Sequence, residues 1–67
     1  MKFLKGDYVG YDYGSPLRKI KFGYVTENHM PGKDVQIDHE DGIIKGAIDP
    51  RYIVYNFGEE IRELAKL

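Results

Sequence analysis

The chain contains no cysteine and no tryptophan, only three prolines among 67 residues, and no apolar run approaching the roughly 18 residues of a membrane span. Without cysteine, neither disulfides nor thiolate-bound metal can supplement the core, and a reducing, cytoplasmic setting is the expectation. The opening Met1-Lys2-Phe3-Leu4-Lys5-Gly6 is too short for the apolar region of a signal peptide. Charge of one sign is missing as well: 10 Lys+Arg stand against 11 Asp+Glu, a net charge of −1. Nothing global therefore draws the chain to nucleic acid or anionic lipid, and any such binding has to come from a local patch. A chain of this size buries only about 60% of the surface its unfolded form exposes, which leaves little apolar area for a deep cleft. Six tyrosines and three phenylalanines must supply the bulk of the core. There is no repeat, low-complexity run or linker, so residues 1–67 read as one domain.

What is present centres on Val35-Gln36-Ile37-Asp38-His39-Glu40-Asp41-Gly42-Ile43-Ile44-Lys45-Gly46-Ala47-Ile48. Asp-Gly between two strand-like runs predicts a two-residue hairpin turn, because both central positions of such a turn need positive φ. Counting outward from it pairs Glu40 with Ile43, His39 with Ile44, Asp38 with Lys45, Ile37 with Gly46, Gln36 with Ala47 and Val35 with Ile48. Val35, Ile37, Ile44 and Ile48 then share the apolar face, and Asp38 lies opposite Lys45 on the wet one.

Before the hairpin, a turn at Gly6-Asp7 leads into a strand whose Val9, Tyr11 and Tyr13 share a face. Gly10 marks a bend or a close backbone approach. Gly14-Ser15-Pro16 ends that strand, and alternation at Ile20, Phe22 and Tyr24 against Lys19 and Lys21 predicts a second. A symmetric 28–33 loop sets Thr26 against Val35, Tyr24 against Ile37, Phe22 against His39 and Lys21 against Glu40. Val25 falls on the wrong parity for this register, which calls for a bulge near Gly23 or a partner on the outer face. After the hairpin, Asp49-Pro50-Arg51-Tyr52 reads as a 3₁₀ turn and Ile53-Val54-Tyr55 as a fifth strand. Asn56 with Glu59 has the form of a capping box opening a helix over 57–67. Its stripe of Phe57, Ile61, Leu64 and Ala65 is expected to dock on the sheet, since a helix this short is marginal alone.

Five short strands, tight turns and a 3₁₀ turn before the last strand make the class mainly β, and the pattern resembles the Src-homology-3-like small-barrel superfold, which includes Tudor and KOW modules. Phe3-Leu4-Lys5-Gly6-Asp7-Tyr8-Val9 is similar to that fold's approach to its first barrel strand. Asp49-Pro50-Arg51-Tyr52-Ile53-Val54 is similar to its proline-containing turn, and Phe22-Gly23-Tyr24-Val25 to the G-x-V of KOW strands. The resemblance implies a five-stranded antiparallel barrel over 3–55 with the C-terminal helix added. It differs from polyproline binders, which carry Tyr-Asp-Tyr ahead of Lys-Gly-Asp and a groove tryptophan. It differs also from methyl-mark readers, whose loop between strands three and four bears aromatic residues where this chain has Glu40-Asp41-Gly42. An architecture does not carry a function with it.

Asp38-His39-Glu40-Asp41 is the densest ionisable cluster, but its carboxylates pair across strands and its members alternate in face, so no metal site is expected. His29 lies in a loop away from it. Ser15 and Thr26 have no base placed beside them, and neither a catalytic residue nor a cofactor is expected. The chain reads as a non-catalytic binding or regulatory module contacting another protein. Its candidate contacts are Tyr8, Tyr11, Asp12, Tyr13, His29 and Met30, where tyrosine offers a large rigid surface with a polar tip. The alternative is a nucleic-acid-binding accessory protein using the basic patch Arg18, Lys19 and Lys21, with neighbouring tyrosines to stack on bases.

Overall fold

β-Branched and aromatic residues alternate along most of the chain, and in the computed structural model, which describes residues 2–12, 20–39 and 45–66, they form one antiparallel sheet and one helix. The strands are β1 (Tyr8–Asp12), β2 (Ile20–Val25), β3 (Val35–His39), β4 (Lys45–Ile48) and β5 (Ile53–Asn56). A 3₁₀ turn at Pro50–Tyr52 precedes β5, and helix α1 (Phe57–Ala65) follows it directly. The strands lie in the order β4-β3-β2-β1-β5. β4 and β5 are thus the two edges, and among the described residues no pairing joins them.

The hairpin register is as expected wherever it is described: Val35 faces Ile48, Gln36 faces Ala47, Ile37 faces Gly46 and Asp38 faces Lys45. The Asp41-Gly42 turn, and the pairings of Glu40, Ile43 and Ile44, lie outside the described residues. Val35, Ile37 and Ile48 are buried while Gln36 and Asp38 are exposed, the two-sidedness that alternation requires.

Strand β2 corrects the expected register. Gly23 faces His39, Tyr24 faces Asp38 and Val25 faces Ile37, one residue away from the expected pairing. Because side chains alternate, a shift of one residue reverses every face. Val25 is therefore in the core, while Ile20 and Tyr24 are exposed and Phe22 half-buried. No bulge at Gly23 is needed to account for Val25. The physical reason lies at Gly23: a Cβ there would come within 2.6 Å of Ile37 Cγ2 and 2.7 Å of the Asp38 carbonyl oxygen, so the inward position beside β3 admits only glycine. The expected bend does occur in β1, where pairing with β5 slips between Gly10 and Tyr11.

The inner face of the sheet holds Val9, Tyr11, Val25, Val35, Ile37, Ile48 and Ile53, with Phe3 closing over them. Fully burying such a side chain contributes about 1.5–3 kcal/mol. The helix adds no buried residue to this core. Its expected docking stripe is corrected accordingly: only Phe57 meets the sheet, whereas Ile61 and Leu64 are 66% and 67% exposed. Orientation explains this, because Arg62 and Gly58, four residues apart and hence on one side of α1, face Asp7 and turn the apolar stripe outward. Among the described residues no helix is long and apolar enough to cross a membrane.

Candidate functional site

The Lys5-Gly6 turn is built by the Asp7 amide donating to the Leu4 carbonyl at 3.0 Å, with Gly6 at φ +91°. This turn points the Asp7 carboxylate into the junction of β1, β5 and α1. Asp7 accepts from the Leu4 amide at 3.0 Å, from Asn56 Nδ2 at 3.1 Å and from the Arg62 guanidinium. Asn56 in turn caps α1, its Oδ1 accepting from the Glu59 amide at 3.0 Å, and donates to the Lys2 carbonyl at 2.9 Å. Burial by itself raises the Asp7 carboxyl, but Arg62, the Leu4 amide and Asn56 outweigh it and hold the group below its ordinary value of 3.8. The expected reciprocal arm of the capping box is diverted, since the Glu59 side chain accepts from the Lys2 amide at 3.2 Å. This network joins residues far apart in sequence and clamps the helix to the start of β1 and the end of β5.

Tyr11 is corrected as a contact residue: it is 0% exposed, its hydroxyl hydrogen-bonded to His39 Nδ1 inside the core. The strand period puts Tyr11 on the same face as Val9, and that face is the inner one. His39 is buried with it, while its neighbour Asp38 is exposed on the other face. Tyr11→Phe is expected to lower stability by about 1–2 kcal/mol in urea unfolding and to leave binding by surface residues unchanged, since a buried polar group loses its partner.

The other candidates divide by position. Tyr8 is half-buried in a cluster of rings on the outer face, 4.9 Å from Tyr24 and 5.8 Å from both Phe22 and Phe57 between centroids. Tyr55 stacks on Phe57 at 5.7 Å. Asp12 is half-buried at the end of β1, opposite Ile20. His29 is a strut more than a contact, its amide donating to the Phe3 carbonyl at 2.9 Å and its ring to the Lys33 carbonyl at 2.6 Å while packing edge-on against Phe3. The loop it holds presents Met30 to solvent. Tyr13, Arg18 and Lys19 lie outside the described residues, and Lys21 is exposed on β2 opposite Tyr11.

The expected register puts Tyr24 on the core face, though it also stands among the rings able to stack on bases, and Tyr55 is not singled out; both are exposed rings, at 52% and 50%. The available signal was Gly10: Phe22 and Tyr55 flank it across β2 and β5, the arrangement in which rings cover a strand glycine. Together with Tyr8, Phe22 and Phe57 these residues make an aromatic platform on the outer side of a small antiparallel sheet. Compared with models of protein families, with curated proteins and with solved structures, the chain gives no match.

Proposed function

We propose that the chain is a non-catalytic binding module that contacts another protein through this aromatic platform, on a sheet curled into a small Src-homology-3-like barrel in the cytoplasm. The burial of Val9, Tyr11, Val25, Val35, Ile37, Ile48 and Ile53 on the inner face without any buried helix residue supports a sheet that covers itself by curling. The observation that carries the function is the pair of half-exposed rings, Tyr24 and Tyr55, held by ring contacts with Tyr8 and Phe57. Rings already ordered by their neighbours lose little freedom when a partner covers them, which is why tyrosine dominates contact surfaces. Beside the platform stand two outward carboxylates, Asp12 at the end of β1 and Asp38 opposite Tyr24 on β3, the latter in register with Lys45. Together they do not supply the excess positive charge that a phosphate backbone needs, which favours a protein over nucleic acid.

Capture with the immobilised chain tests this. The expected result is a retained protein, unaffected by nuclease, that is lost when Tyr24→Ser replaces the exposed ring. Retained DNA or RNA that is released steeply by salt, and lost in Arg18→Glu/Lys19→Glu, would establish the nucleic-acid alternative instead.

A further inference from the structure

Between β5 and α1 runs an open groove of about 630 Å³ whose lining combines Val54, Tyr55 and Leu64 with Glu59, Glu60 and Glu63. Strand β5 has β1 on one side and, among the described residues, no strand on the other. We propose that this groove takes an extended basic segment of a partner protein, laid beside β5 with an apolar side chain between Val54 and Leu64 and lysine or arginine against the glutamates. The proposal rests on the protein-binding function above and names the chemistry of the partner.

Charge selects the occupant. Three carboxylates line one groove within two turns of helix, and the nearby cations do little to offset them. Arg62 is hydrogen-bonded to Asp7 and offsets only part of the charge of Glu59 and Glu63, and Lys66 reaches Glu63 at 3.4 Å in an exposed pair. Glu59 accepts from an uncharged amide, and Glu60 has no ion-pair partner among the described residues. A second copy docking here about a two-fold axis would bring the same three carboxylates against each other. Anionic lipid and nucleic acid are repelled for the same reason. An exposed edge strand adds an incoming chain through its backbone groups, and side-chain pockets beside it supply the selectivity.

Fluorescence anisotropy with a labelled peptide alternating lysine and valine, and with its counterpart carrying glutamate for lysine, decides the matter. The basic peptide is expected to bind and the acidic one not to. Raising salt from about 0.05 to 0.5 M should weaken the complex. Glu60→Lys/Glu63→Lys, at two exposed positions, should lower affinity about tenfold or more while circular dichroism shows the fold retained. Tyr24→Ser should leave it unchanged. Equal binding of both peptides, indifference to the double charge reversal, or affinity weaker than about 1 mM for the basic peptide overturns the groove proposal. Loss with Tyr24→Ser alone also overturns it, while the protein-binding function stands. If neither peptide binds and capture by the wild-type chain also fails, both fall.

Discussion

Asp7→Ala is expected to remove a large share of the protein's stability at room temperature. The substitution deprives the Leu4 amide, Asn56 Nδ2 and the Arg62 guanidinium of one shared acceptor, at a cost of about 3 kcal/mol or more. A domain of this length has a total stability of only about 3–10 kcal/mol at typical values per residue. Asp7→Asn preserves shape and one acceptor oxygen and should be milder. Circular dichroism against urea, run for both variants, measures the difference. Acid does to the wild type what asparagine does permanently. The carboxyl is held below 3.8 when folded, so the folded state binds fewer protons than the unfolded state as the pH falls through that value. The stability it contributes is complete above about pH 4, declines below that, and is lost once the folded group is itself protonated. Asp7→Asn should lack this part of the acid slope. An unchanged slope would show that Asp7 does not titrate in the clamp.

Gly23→Ala is the second large effect. The added Cβ meets Ile37 Cγ2 at 2.6 Å, which a rotamer change can relieve, and the Asp38 backbone oxygen at 2.7 Å, which only separation of β2 from β3 can relieve. Overpacking of a core costs typically about 1–3 kcal/mol, and a backbone obstacle places this site at the upper end or beyond. Gly32→Ala makes the control: its φ is +83° but a Cβ there meets nothing within 4 Å, so it bears only the strain of the left-handed conformation, about 1 kcal/mol. Thermal unfolding should separate the two by several degrees, at about 4–8 °C per kcal/mol for a domain of this size. Comparable melting temperatures would mean that β2 and β3 can part without penalty.

The β3–β4 hairpin was legible from its residues because a turn signal and strict alternation agree, and each alone would leave a one-residue ambiguity. The cap at Asn56 was legible because its partner, the Glu59 amide, is three residues away. Strand β2 was not, since the outward set Ile20, Phe22 and Tyr24 is as apolar as a core face, being half-covered by Tyr8 and Phe57. Periodicity reports that one face is apolar without saying which layer covers it. Gly23, in mid-strand, was the better witness. The clamp at Asp7 was illegible for another reason: Asn56 and Arg62 lie 49 and 55 residues away, and a local pattern carries no information at that range. The misplaced docking of α1 follows from the same gap, because an ion pair invisible in sequence decides which side of the helix faces inward.

The union of β1 with β5, which sets Val9 against Asn56, has a kinetic consequence. The meander from β2 to β4 closes through short connections, whereas this last seam cannot form until two distant parts of the chain find each other, and the entropy of that search is met before any contact rewards it. The middle of the molecule is thus expected to assemble ahead of its two ends, and until the seam zips shut β1 waits as a bare border, open to the wrong neighbour.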